Sequence, residues 1–236
     1  MQLLKPRKDL KISVFLPCYK RHEYTERCLR ALEEAQEYSN TLFYIVDDGS
    51  NDGVTAELIT STKLPKGLVI VSPDNKGTRA HLIDFIIWSR FQNVDFMCRV
   101  DNDCRVPKNW MNDLLDIFEK SDVQILSPNV VPSNAAYKYG RVVENLPYMP
   151  SAIVGGLWFM YANLVKDLIF EDIDVRGIVG AFNILKQIII ENDPIVGWAP
   201  NVVVQDMGHW SAAHPDFIRT PEHLEYYEEI GRKVDA

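Results

Sequence analysis

A chain of 236 residues, 47% apolar and with a formal net charge of −8, has the length for one large α/β domain and the apolar content for a proper core. That composition excludes disorder, and the acidic balance argues against broad electrostatic capture of nucleic acid, leaving room only for a local basic groove. No stretch is apolar for long enough to span a bilayer and "MQLLKPRKDLK" lacks the apolar core of a signal peptide, so neither a membrane span nor a leader is expected.

Cys18, Cys28, Cys98 and Cys104 form no C-x-x-C pair and no disulfide-scaffold density, which points to a reduced, cytoplasmic setting. In chain order, "KISVFLP" (Lys11 to Pro17) reads as a strand ended by proline. The next segment places Tyr24, Cys28, Leu32 and Ala35 at helical spacing among charges. "LFYIV" (Leu42 to Val46) and "LVIVS" (Leu68 to Ser72) read as strands that run into "DDGSNDG" and "PDNKG". The following helix, "TRAHLIDFIIWSRF", is apolar over most of its surface and is expected to be well buried. "VDFMCRV" is a fourth strand, and Pro107 marks the first turn of a helix "KNWMNDLLDIFEK".

Beyond residue 130 the pattern is irregular. "NVVPSNAAYKYG" reads as a loop, "SAIVGGLWFMYA" as a strand interrupted by Gly155 and Gly156, and "VRGIVGAFNILKQIIIE" as a helix. "NVVVQDMGHW" reads as a late strand ending near His209, and "TPEHLEYYEEIGRK" as a terminal amphipathic helix. Strands that alternate with helices and are almost continuously apolar indicate a mostly parallel sheet covered on both faces. In such sheets ligands gather beyond the carboxyl ends of the strands. Four successive strands deliver polar residues to that one rim: Pro17 to Lys20, Asp47 to Ser50, Asn75 to Gly77, and Asp101 to Asp103.

Two carboxylates at the tip of a buried strand, Asp101 and Asp103, suit either a solvated turn or a cation. A calcium loop counted from Asp101 fails, because Val106 falls where the turn glycine belongs and Asn112 where the bidentate Glu belongs. Counted from Asp48 it fails at Ile59, in the last ligand position. Beside the solvated turn, the remaining cation reading is a hard divalent ion, Mn²⁺ or Mg²⁺, shared between carboxylates and a diphosphate and neutralising charge on a departing nucleoside diphosphate.

These stretches together resemble a family 2-type glycosyltransferase of the GT-A superfold over residues 11 to about 215. "VFLPCYKR" resembles the family's first strand and turn, "YIVDDGSNDG" its second-strand signature, and "SPDNKGTRA" the segment before the buried helix. "CRVDNDCRVP" resembles the D-x-D metal turn, "VGGLWFM" the acceptor segment, and "VVVQDMGHW" the late strand with a metal-binding histidine. The resemblance implies a Rossmann-like GT-A domain over residues 1–236, with a nucleotide-sugar half at 11–128 and an acceptor half with a C-terminal helix at 129–236. It implies transfer of a sugar from a nucleoside diphosphate donor, UDP favoured, to the hydroxyl of a glycan, small molecule, protein or modified DNA base.

By the same resemblance Pro17 and Tyr19 shape the nucleotide pocket, and Asp48, with Asp47, accepts hydrogen bonds from the base. Asn75, Lys76 and Arg79 contact base or phosphate, and Asp101, Asn102 and Asp103 serve the ribose and metal. Asp103 is then the direct metal ligand, joined by Asp101 and His209, and Gly155, Gly156 and Trp158 face the acceptor. Plainer readings stand beside these. Asp47 and Asp52 also suit turn and helix caps, and Lys76 and Arg79 a solvated helix start. His209 competes with His214, Trp158 and Trp210 suit a core, and Gly155 and Gly156 suit close backbone approach.

The family's general base departs from its pattern: after Gly180 stand Ala181 and Phe182, which take no proton. Asp172, then Asp174, are the replacements expected for an inverting reaction, with Glu191, Asp193 or a retaining route as alternatives. A nucleotidyltransferase would want glycines after the first strand, and "LPCYKRHEY" has none. The other rival is a carbohydrate- or nucleotide-binding module without chemistry.

Overall fold

A computed structural model describes residues 5–35, 40–132, 134–152, 155–170 and 178–208. The C-terminal helix expected beyond residue 219 lies outside these residues, as do Asp172, Asp174, His209, Trp210 and His214.

The first half follows the alternating pattern. Strand β1 (Ile12–Cys18) leads to helix α1 (His22–Glu34), β2 (Thr41–Asp47) to α2 (Val54–Ser61), and β3 (Lys66–Val71) to α3 (Thr78–Gln92). Strand β4 (Phe96–Arg99) then meets the short β5 (Cys104–Arg105) and α4 (Trp110–Lys120). Helix α4 starts three residues after Pro107, where fully buried Trp110 docks, and Asn109 before it is left-handed with φ 63°. Pro107 therefore precedes the helix and is not its first residue.

The second half holds β6 (Ile125–Val131), α5 (Ala135–Tyr139), β7 (Met149–Pro150), β8 (Trp158–Tyr161), α6 (Ile178–Asn192) and β9 (Val196–Asp206). Two stretches differ from expectation. The supposed loop at 129–140 carries the end of β6 and a short helix, tied together where the buried Asn129 side chain accepts the Ala136 N–H at 3.2 Å. The strand expected to begin at residue 201 begins at Val196 and bends in its middle. Its pairing with β6 shifts between Pro128 and Asn129, opposite Pro200, which has no N–H to offer the ladder.

One sheet runs in the order β3-β2-β1-β4-β8-β6-β9-β5, with β7 also on β9. Strands β3, β2, β1 and β4 are mutually parallel, β8 lies antiparallel between β4 and β6, and β9 is parallel to β6. Alternation along β1 supplies both layers of the core. Val14 and Leu16 join Tyr24 and Leu32 of α1 and Trp110 and Leu114 of α4 on one face. Phe15 joins Phe85 of α3 and Leu185 and Ile188 of α6 on the other, its ring stacked on Phe85 at 5.2 Å. Burying each such ring contributes roughly 1.5–3 kcal/mol. Helix α3 buries only one face, since Phe91 is 83% exposed.

Candidate active site

Parallel strands end together, so β1, β2, β3 and β4 bring their carboxyl ends to one rim. Two turns there carry the carboxylates. In the first, after β2, the Asp48 N–H bonds the Cys18 carbonyl at 2.8 Å and locks the turn to the end of β1. Asp47 and Asp48 are 2% and 5% exposed. The Asp47 carboxylate accepts from the Ser50 N–H and hydroxyl at 3.1 and 2.5 Å, and the Ser50 hydroxyl oxygen accepts the Lys20 N–H at 2.7 Å. Burial raises the Asp47 pKa while the Ser50 bonds oppose that rise. Asp52 bonds the Thr55 N–H at 2.8 Å and starts α2.

The Asp48 side chain reaches the next turn. Its oxygens accept the Lys76 N–H at 2.7 Å and the Gly77 N–H at 3.0 Å, and His81 Nε2 lies 2.9 Å from Oδ1. Gly49, with φ +77°, brings its backbone so close to Asp74 and Asn75 that a Cβ there would sit 2.5 Å from the Asn75 nitrogen. The Asn75 side chain also accepts the Gly77 N–H, at 3.0 Å. Lys76 is exposed and Arg79 half-buried at the start of α3. At the end of β1, Pro17 and Tyr19 are half-buried, and the Lys20 amine lies 5.4 Å from the Tyr19 ring centre.

The second turn, after β4, is held by arginines. Arg99 Nε and Nη2 grip Asp101 Oδ1 at 2.9 and 2.7 Å. Residues two apart on extended chain share a face, which is why Arg99 can reach. Arg21 Nη1 lies 3.0 Å from Asp103 Oδ2, with the Arg21 side chain 4% exposed and its guanidinium 4.6 Å from the Tyr24 ring centre. Asn102 turns inward to the Thr25 hydroxyl at 2.8 Å. The Met207 N–H bonds the Asp103 carbonyl at 2.8 Å, which ties the end of β9 to this turn.

That tie brings in a third carboxylate. Asp206 faces Cys104 across the β5–β9 pair. Burial and the negative charge of Asp103 push its carboxyl up to about 8, although the Arg21 cation acts the other way. Its Oδ1 is buried and has no hydrogen-bond partner among the described residues. Carboxylate oxygens are the donors a hard divalent ion takes, so Asp101 and Asp103 suit one in donor chemistry. No cluster of three metal-ligating side chains occurs among the described residues, and His209, the expected further ligand, lies outside them.

The acceptor segment abuts the same turn. A Cβ on Gly156 would sit 2.6 Å from Asp101 Oδ2, and the Gly155 N–H bonds the Ser127 hydroxyl at 3.3 Å. Trp158, by contrast, is 2% exposed and packs inside the core. Glu191 and Asp193 stand at the end of α6, just before β9 begins. Because β9 runs parallel to β6, that position is the amino end of the strand, the rim opposite Asp101 and Asp103.

Sequence reasoning singled out the aspartates and missed their partners. Asp206 ends an apolar strand as Asp101 does, so its signal was present in "VVVQD". Arg99 is legible from its two-residue spacing to Asp101. His81 gave none, because only the docking of α3 puts an imidazole against Asp48.

The profile of Glycosyl transferase family 2 matches residues 13–190. The chain belongs to that family. Its fold is GT-A. This family 2 chain matches GalNAc-T7 solved with UDP, GalNAc and Mn2+ at a TM-score of 0.62 and 15% identity, over 85% of this chain and 44% of that one. Mannosyltransferase PcManGT from Pyrobaculum calidifontis, in complex with GDP-Man and Mn2+, matches at 0.66 and 18%, over 96% and 65%. S. aureus TarS residues 1-349 match at 0.61 and 16%, over 85% and 61%. The chain thus spans between 44% and 65% of these solved chains. No curated protein matches it in sequence.

Proposed function

We propose that the protein transfers a sugar from a nucleoside diphosphate donor, UDP-linked by preference, to an acceptor hydroxyl, with a divalent cation at the Asp101–Asp103 turn. The observation that carries this reading is the Asp101 and Asp103 pair in the turn after β4, at the rim where three other strands end and tied to the end of β9 by the Met207 N–H, in a member of family 2. Similarity to chains solved with UDP or GDP-Man and Mn2+ supports it. Asp103, Asp101 and His209 would hold the Mn²⁺ or Mg²⁺, which when bound neutralises charge growing on the departing diphosphate. The turns at Asp47–Ser50 and Asn75–Gly77, with Pro17, Tyr19 and Arg79, would form the nucleotide pocket. Gly155 and Gly156 would admit the acceptor beside Asp101. Asp172, or Asp174, would take the acceptor proton in an inverting reaction.

The test is donor hydrolysis and transfer from UDP- and GDP-sugars, with Mn²⁺ and with a chelator. Turnover abolished by chelator and restored by Mn²⁺ supports the reading. Turnover indifferent to chelator contradicts the metal role, and binding without turnover on a broad acceptor panel favours a non-catalytic module.

One observation favours a second reading of the acceptor, a hydroxylated base in DNA. A cleft of about 590 Å³ beside β5 and β9 is lined by Arg27, Arg30, Arg105 and Lys108, with Glu34 the one acidic side chain on its wall among the described residues. Cations gathered in an acidic chain suit a phosphodiester backbone. Duplex DNA affinity that falls steeply with salt, and falls further in R105A, supports this acceptor; salt-independent or absent binding removes it.

A further inference from the structure

Resting on the donor-site reading above, we propose that His81 is a positioning residue for the nucleotide pocket: through Asp48 it fixes the Asn75–Gly77 turn in its ligand-ready shape. Three observations support this. Asp48 has the two loop N–H groups of Lys76 and Gly77 and the His81 ring on its two oxygens, and all these bonds lie within 3.0 Å. Both side chains are withdrawn from solvent, His81 at 3% and Asp48 at 7%, so water does not compete for the bonds. And the other ring nitrogen, His81 Nδ1, is buried with no hydrogen-bond partner among the described residues.

The third observation separates this histidine from an ordinary core one. A buried polar atom left unpaired is costly, and a leucine or methionine would fill the same space without that cost. What the imidazole provides in return is its single bond from Nε2, and that bond goes to the one carboxylate that organises the turn. For Nε2–H of a neutral ring to donate, the ring takes the tautomer with Nδ1 bare. His81 sits in the first turn of α3, directly after the segment it holds, so the helix supplies a rigid mount. The base and phosphate contacts expected of Asn75 and Lys76 would be made from the turn that this bond steadies. His81 itself touches neither.

The assignment has a readout that needs no variant. Nitrogen chemical shifts of the His81 ring in the wild-type chain should report the Nε2-protonated tautomer; an Nδ1-protonated neutral ring cannot donate to Asp48 and overturns the proposal. Calorimetric titration with UDP, and with GDP in a second arm, reads the consequence. His81→Met should weaken nucleotide binding about tenfold or more and raise the donor KM alike, with kcat at saturating donor nearly unchanged. His81→Gln, whose amide can donate in place of Nε2–H, should recover most of the loss. In an Asp48→Ala background His81→Met should add almost nothing, because the oxygen that accepts the Nε2–H is gone. Equal binding by wild type and His81→Met, a fall confined to kcat, or additive losses overturns the role. A wild-type chain that binds neither nucleotide overturns the donor reading instead, and the tautomer then still judges the His81 bond by itself.

Discussion

The two carboxylate turns at the rim look alike in sequence and are held in opposite ways. At Asp47 and Asp48, backbone N–H groups, a serine hydroxyl and an imidazole take up the oxygens within a few residues of chain or one neighbouring turn. At Asp101 and Asp103, the partners are the guanidinium cations of Arg99 and Arg21, and Asp206, whose Oδ1 has no hydrogen-bond partner among the described residues, adds its charge to that of Asp103. The first arrangement is finished: its hydrogen bonds are directional, local and cost nothing further to keep. The second is balanced charge against charge, and a balance of charges is what an added cation can shift. The difference teaches that an aspartate pair at a strand end is a scaffold when its partners are N–H groups and a candidate cation site when its partners are cations.

If that contrast holds, the largest effect should come from Asp206. An unfolded aspartate ionises near pH 4, whereas the folded carboxyl keeps its proton up to about 8. Over that window the native state binds the extra proton, so the stability of the metal-free protein should fall as pH rises from about 4 to about 8. The drop is on the order of 5 kcal/mol if this group acts alone. Asp206→Asn should flatten the slope in a calorimetric pH series; an unchanged slope breaks the charge-crowding half of the comparison. Next in size, Asp48→Ala should cost about 3 kcal/mol, a drop of roughly 6–12 °C in Tm, because two buried loop N–H groups lose their acceptor. A loss below about 1 kcal/mol in denaturant titrations would mean that the first turn is not the scaffold described. The smallest effect is Gly156→Ala. The added carbon meets the free end of Asp101 at 2.6 Å, so the carboxylate must swing aside. Turnover should fall about tenfold with Tm almost unchanged, since the clash is with the end of a side chain and not with backbone.

Much of this was readable from residues. The apolar runs of β1 to β4, each ended by a polar cluster, gave the parallel half of the sheet and its rim, because a strand buried on both faces has to be apolar until it leaves the core. The second half was harder for a physical reason: β8 enters the sheet antiparallel between strands distant in sequence, and β9 bends at Pro200. The first event leaves no local pattern, and the second leaves only Pro200. At the site, the aspartates announced themselves, Asp206 included in "VVVQD", and the partners Arg21 and His81 did not, since they reach the turns only through tertiary packing. Two positions read as site residues have inward side chains, Asn102 bonding Thr25 and Trp158 filling the core; Asn102 turns inward from between Asp101 and Asp103, and Trp158 is taken by the packing of β8.

The central claim is that the Asp101–Asp103 turn holds a divalent cation against a donor diphosphate. Calorimetric titration of UDP into the wild-type chain and into Asp103→Asn, each with and without Mn²⁺, tests it most directly. The account predicts that Mn²⁺ tightens UDP binding to the wild type at least tenfold, while Asp103→Asn binds UDP equally weakly with and without the ion. Binding that ignores Mn²⁺ in the wild type, or a full Mn²⁺ effect in Asp103→Asn, would contradict it.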